Sequence, residues 1–224
     1  MIYSRSQRGI SLIEILIALA LSILIILAML RAFVTTGAVT SESSAGAKAD
    51  SSMMLGFIAA DRILQGMGFG LSNTSAGYGT NFQVLDKDGS PVAIGTAGKY
   101  LVWKSSDTLC QALYSHANGL YLYGKSAGYA CTSLAKPADA TTPKELLIAI
   151  DDALRSSGIS NNSNNIGSID LKVESAAGCV PFGAKNGLAD SAKYQAVLTA
   201  QAYAASSASA AKTISNVTCL FNFK

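Results

Sequence analysis

The chain has 224 residues, enough for one domain of ordinary size and an additional segment. Hydrophobic residues make up 50% and charged residues only 14%, which is typical of a folded protein and excludes a disordered acidic or basic tail. The formal net charge is +3 and includes Arg5 and Arg8 near the N-terminus, so the sequence after Ile10 is nearly balanced. It lacks the basic stripe expected of a nucleic-acid-binding protein.

The first element is a long apolar run in "SQRGISLIEILIALALSILIILAML". Residues 15–30 carry no charge, and Ser22 is their only polar side chain. As a helix, residues 10–30 would extend about 31 Å, enough to cross the hydrocarbon core of a bilayer. Because Arg5 and Arg8 precede the run, the positive-inside rule places the N-terminus in the cytoplasm and the remainder outside.

This run has two other interpretations. A buried core helix is disfavoured because the run is apolar on every face. A secretory signal peptide, removed near residues 36–38, fits the charged start and the apolar stretch. Neither interpretation explains an acid, Glu14, near the start of the run, or the position of Gly9 directly before it.

The stretch "RGISLIEILIALALS" resembles the type IV prepilin signal, with a short basic leader, a glycine, an apolar residue and a glutamate at the fifth position after the cut. Ile10 stands where most members have Phe. The resemblance implies that residues 1–9 form a leader and that a prepilin peptidase cuts between Gly9 and Ile10. It also implies methylation of the Ile10 amine and, as partners, other pilin subunits, major and minor, with an inner membrane assembly platform.

The position of Glu14 has a physical reason under this interpretation. A charge deep in a membrane costs about 3 kcal/mol on insertion scales, but Glu14 is only about 6 Å along a helix from Ile10 and stays near the headgroups. In a lipid-free helical bundle the same acid would need a cation. The freed Ile10 amine of a neighbouring subunit is a candidate, because opposite charges at about 4 Å interact with roughly 4 kcal/mol at an effective dielectric of 20.

A second helical pattern follows in "KADSSMMLGFIAADRILQGMGFG". Its apolar residues recur in steps of 4, 3, 4 and 3, which predicts core packing on one face; they are Met53, Phe57, Ala60, Leu64 and Met67. Gly37 and Gly46 suggest a bend or a loosened turn, and the glycines at 66, 68 and 70 predict the end of the helix. The stretch "FIAADRILQGMGFG" resembles the end of the long helix in minor pilins of the PilW family.

The remaining sequence predicts a β-rich head. "NFQVLDKDGSPVAI" is typical of a hairpin that turns near Asp88-Gly89. "KYLVWK", "LYLYGK", "ELLIAI", "SIDLKVE" and "NVTCLFNFK" are further strand candidates, and "AKYQAVLTAQAYAAS" is ambiguous between helix and strand. We therefore predict an α+β fold: residues 10–70 as a long N-terminal hydrophobic helix, with 10–30 as its membrane or filament segment, and residues 71–224 as an extracytoplasmic head with a mainly antiparallel β-sheet.

The four cysteines all follow the apolar run, and an even number in an exported domain favours two disulfides. Three pairings are open. Cys110–Cys131 and Cys179–Cys219 are favoured because neighbours in sequence close local loops. No cysteine pair has zinc-ligand spacing, and no metal or other cofactor is predicted.

No catalytic set stands out. His116 is the single histidine and lies in "YSHANG", interpreted as a turn. Asp86 and Asp88 resemble the start of a calcium-binding loop, but the other ligand positions are missing and a plain turn is favoured. A further acid pair, Asp151-Asp152, has no signal that places it in a cleft.

These features predict a structural minor pilin rather than an enzyme. The bacterial protein would be a single-pass inner membrane protein with a cytoplasmic N-terminus that later enters a surface pilus, or fimbrium. The alternatives are a J-type pseudopilin of a type II secretion system, an anchored adhesin or ligand-binding head, and a processed periplasmic enzyme.

Overall fold

The computed structural model describes residues 11–126, 128–138, 142–150, 169–179, 192–202 and 213–223. One long helix is followed by two antiparallel sheets, which confirms the predicted α+β class. The elements are α1 (Leu12–Gln65), β1 (Phe82–Leu85), β2 (Tyr100–Lys104), β3 (Leu109–His116), β4 (Gly119–Tyr123), β5 (Tyr129–Ala130), β6 (Lys144–Ala149), β7 (Asp170–Cys179), β8 (Ala192–Gln201) and β9 (Thr213–Cys219).

Helix α1 continues through Gly37 and Gly46 and ends at Gln65. The predicted termination by glycine is confirmed, because Gly68 and Gly70 adopt φ of 80° and 83°, where a Cβ would be strained. The chain divides into two compact units, Met1–Ser44 and Ala45–Lys224. The division falls inside α1. From here on, the head means the second unit, which contains the last part of the helix as well as both sheets.

Within the head, one face of α1 forms the centre of the main hydrophobic core. The five residues of the predicted apolar stripe are all buried, with at most 5% of their surface exposed. They pack in one cluster with side chains of both sheets, among them Trp103 of β2 and Leu171 of β7. Fully burying a large apolar side chain contributes about 1.5–3 kcal/mol, so this face is a principal source of the head's stability.

The larger sheet has the order β1-β2-β3-β4-β6, with β5 paired to β3, and every pairing is antiparallel. One of its faces packs in the main core. The other carries a second cluster, in which Leu134 covers residues of β1 to β4 such as Tyr100 and Tyr123. The smaller sheet has the order β7-β8-β9. The backbone pair Gly98–Leu171 connects the two sheets.

Several sequence predictions can be compared directly with these strands. The five strand candidates correspond to β2, β4, β6, β7 and β9, and the ambiguous stretch forms β8. The predicted turn at Asp88-Gly89 is present, because the Asp86 side chain accepts hydrogen bonds from the backbone N–H groups of Asp88 (2.9 Å) and Ser90 (2.8 Å). Its returning arm makes only an isolated bridge, Leu85–Pro91, instead of a full strand.

Strand β3 was not predicted, and the assignment of His116 to a turn needs correction. His116 is the last residue of β3 and pairs with Gly119 of β4. The hairpin turn consists of Ala117 and Asn118. Strand β3 mixes polar and apolar residues on both of its faces, with Leu109 partly exposed and Ser115 buried, so it shows no clear alternation, yet it is paired on both sides.

Gly56 allows α1 to approach β6 closely. A Cβ placed on Gly56 would lie 1.9 Å from Ile148 Cγ1 and 3.1 Å from the Leu147 carbonyl oxygen. Ile148 is 1% exposed, so its side chain has no free space to move into. The glycine is therefore required by packing, although its φ is ordinary.

We expect Gly56→Ala to lower the free energy of unfolding by about 1–3 kcal/mol through overpacking, against the higher helix propensity of alanine. Guanidinium denaturation of the full chain in detergent micelles, followed by the fluorescence of Trp103, measures this change. Gly37→Ala is the matched control, since no atom lies within 4 Å of its added Cβ. An unchanged midpoint for Gly56→Ala would contradict the packing argument.

Candidate functional site

The N-terminal part of α1 presents a continuous apolar surface. Its large side chains from Leu12 to Leu30 are between 49% and 76% exposed. The most apolar 18-residue window of the helix has a mean hydropathy of 2.9, and none of it is buried. By length and composition this helix can cross a membrane, and nothing in the described residues of the chain covers it.

Three hydroxyl groups on and just after this surface are hydrogen-bonded within the helix. The Ser22 hydroxyl donates to the Ala18 carbonyl at 2.7 Å. Thr35 and Thr36 donate in the same way, to Arg31 (2.9 Å) and Ala32 (2.8 Å). A hydroxyl that is bonded four residues back needs no water, so Ser22 is compatible with a lipid or protein environment.

Glu14 lies in the first turn of α1 and is exposed. Its backbone N–H donates to the Ser11 carbonyl at 3.0 Å. A carboxylate is favoured at this end of a helix, because the unpaired N–H groups carry partial positive charge. The next charged residue of the helix is Arg31, so one acid and one cation bound the apolar surface at its two ends. Gly9 and Ile10, the predicted cleavage and methylation positions, lie outside the described residues.

Both predicted disulfides are present. Cys110 of β3 is bonded to Cys131, and Cys179 of β7 is bonded to Cys219 of β9, with Cα–Cα distances of 5.7 Å in each pair. The first bridge holds the segment after β5 against the second cluster. Burial in this region raises the pKa of the Tyr129 hydroxyl. The second bridge connects β7 and β9, the two outer strands of the smaller sheet. In the chain-entropy model such cross-links stabilise by about 3–4 kcal/mol each.

Residues near the end of the chain form hydrogen bonds with the end of α1. These contacts were not predicted from the sequence. The Thr218 hydroxyl of β9 donates to Asp61, and the same carboxylate accepts from Gln65 at 2.7 Å. The side-chain amide of Asn222 donates to the Met67 carbonyl at 2.7 Å, just after the helix end. The sequence offers no signal for these contacts, because the partners are more than 150 residues apart.

The remaining candidate residues form no common site. The Nδ1 atom of His116 accepts a hydrogen bond from the Asn118 backbone N–H at 3.2 Å, in an exposed hairpin. The Asp86 carboxylate accepts hydrogen bonds from the backbone of its own turn. Asp151-Asp152 lie outside the described residues. Among the residues that the structure describes, no three His, Cys, Asp or Glu side chains are grouped so that they could hold a metal ion.

Comparisons with protein-family models, with curated proteins and with solved structures found no match to this chain.

We expect Asp61→Ala to destabilise the head by about 1–3 kcal/mol, because it leaves the Thr218 hydroxyl, which is only 2% exposed, without its acceptor. The double variant Asp61→Ala/Thr218→Val removes both partners and should recover most of that loss. Denaturation monitored at Trp103 reports both effects. If the double variant were less stable than Asp61→Ala alone, the hydrogen bond would not be the cause.

Proposed function

We propose that this protein is a type IV pilin-like subunit, a minor pilin that assembles into a type IV pilus or initiates its assembly. The observation that carries the proposal is the combination of a single acid, Glu14, with an exposed apolar helix surface directly after the glycine junction Gly9-Ile10. In a helix that only anchors a protein, an acid in the first turn gains no more than its favourable interaction with the helix N-terminus. A helix that passes from a membrane into a bundle of subunits gains a specific polar contact.

The proposed sequence of events follows from the charges. The chain is inserted with Arg5 and Arg8 in the cytoplasm and the head outside. Prepilin peptidase removes residues 1–9, which exposes the Ile10 amine for methylation. With an assembly platform in the inner membrane, the subunit then leaves the bilayer, and the amine of a neighbouring subunit approaches Glu14. Their attraction, roughly 4 kcal/mol at an effective dielectric of 20, offsets part of the cost of burying the carboxylate and fixes the axial register.

The architecture of the head agrees with an extracytoplasmic location. Two disulfides are stable in an oxidising compartment and are rare in a reducing one. The second candidate function is a J-type pseudopilin of a type II secretion system, which shares the same signal and helix. Neighbouring genes distinguish the two, since pilus genes favour the first and secretion genes favour the second.

We expect the mature protein from its native host to begin at Ile10 and to carry one additional methyl group on its terminal amine. Intact-mass and N-terminal peptide analysis of membrane fractions measure both features. A mature N-terminus beyond residue 35 would contradict the proposal and support an ordinary secretory signal.

We expect Glu14→Gln to be cleaved at Gly9 normally but to enter filaments about tenfold less than the parent or lower, because a neutral amide cannot balance the terminal amine. Quantitative immunoblotting of sheared filaments against membranes measures incorporation. Glu14→Asp keeps the negative charge and should retain a substantial part of the incorporation into filaments. Incorporation of Glu14→Gln at the level of the parent would refute the assigned role of the carboxylate.

A further inference from the structure

Helix α1 has a second apolar strip in the head, on the side away from the main core. Leu55 and Ile58 are 65% and 52% exposed, and the adjacent Met54 is 48% exposed. With Lys48 and Arg62, both exposed, they form a seam whose members recur in steps of 3, 4, 3 and 4; the seam is Lys48, Ser51, Leu55, Ile58 and Arg62. This is the spacing at which one helix receives another.

The surface beside the seam contains a groove that could receive the side chains of a partner. An open groove of about 410 Å³ lies between α1 and β6, lined by Leu55, Gly56, Leu147 and the polar residues Lys48, Ser51 and Ser52. Gly56 lines the groove with its backbone, while the position of its missing side chain is occupied by Ile148. Ridges of a partner helix fit such a groove, whereas a planar lipid surface would leave it unfilled.

The charges at the two ends of the seam select the partner. Lys48 and Arg62 are 14 positions apart, about 21 Å along the helix and on the same side as Leu55. A second copy in register would bring lysine to lysine and arginine to arginine when parallel, and lysine to arginine when antiparallel. Like charges therefore oppose self-pairing in both directions.

Two of the acids near the seam have partners outside it. Asp61, next to Arg62, accepts hydrogen bonds from Thr218 and Gln65 on the other side of the helix. Glu145 of β6 pairs with Lys125 at 2.6 Å. The seam thus keeps an apolar centre between two cationic ends.

We propose that the seam binds an amphipathic helix of a different protein, with acidic residues at both ends of an apolar stretch about 14 positions long. The identification of that protein as another pilus subunit rests on the proposed function. The surface and its charge preference depend only on residues 48–62 and β6.

The experiment uses the full chain in phosphatidylcholine nanodiscs and two synthetic helices as probes. Both helices carry Leu and Ile at 3-4 spacing; one has Glu at two positions 14 apart, and the other has Lys there. Fluorescence anisotropy of labelled helices measures Kd. We expect the Glu helix to bind at least tenfold more tightly than the Lys helix, and Lys48→Glu/Arg62→Glu to reverse this preference.

Leu55→Ser/Ile58→Ser should weaken binding of the Glu helix at least tenfold, with circular dichroism confirming that both exposed substitutions leave the fold intact. Leu146→Ser is the matched control, since Leu146 is 45% exposed on β6 outside the seam and its loss should leave Kd unchanged.

Three results would overturn the proposal. One is equal or absent binding of the two helices. Another is self-association of the parent chain that Leu55→Ser abolishes, which would make the partner a second copy. The third is protection of residues 48–62 from hydrogen exchange only in nanodiscs containing anionic lipid, which would make the partner a membrane surface. None of these results bears on cleavage at Gly9 or on Glu14, so the proposed function would remain open to its own tests.

Discussion

The packing of α1 against the two sheets is the contact on which the head depends. The helix contributes a buried stripe centred on Phe57 and Ala60, and Gly56 lets it approach β6 so closely that no other side chain fits. The end of the chain then returns to the same helix, where Thr218 and Asn222 bond to Asp61 and to the Met67 carbonyl. The first and the last elements of the head therefore stabilise each other, and the sheets between them share one core.

Under the proposed function, the same helix has to satisfy two environments. Toward the N-terminus its surface is apolar on all sides, and the hydroxyl of Ser22 is bonded within the helix, so the segment suits a bilayer or a bundle of similar helices. Glu14 is the residue of this segment whose requirements differ between the two. Near headgroups it keeps its water, while in a bundle it needs a cation, and under the proposed function cleavage after Gly9 provides one on the neighbouring subunit. Under the proposed function, the leader peptide would therefore control assembly as well as targeting.

Within the head, α1 has two apolar sides with different charge surroundings. The side toward the sheets is filled by the core and carries Asp61 at its edge, where Thr218 and Gln65 satisfy it. The other side exposes Leu55 and Ile58 between two cations. A helix of this kind holds its own domain together with one side and has the other available for a partner. The cationic ends oppose pairing between identical copies.

The sequence by itself determined the features that depend on local composition and spacing. The apolar run, the 4-3-4-3 stripe, the glycine termination of α1 and most strands could be predicted, because periodicity and turn residues act over a few positions. It also favoured the correct disulfide pairs. The tertiary structure alone decided the order of the strands, the inclusion of β3 and β8, the requirement for Gly56, the partner of Asp61 and the exposure of Leu55 beside β6. Most of these depend on contacts between residues far apart in the chain, and the identity of one residue does not specify which distant residue will meet it.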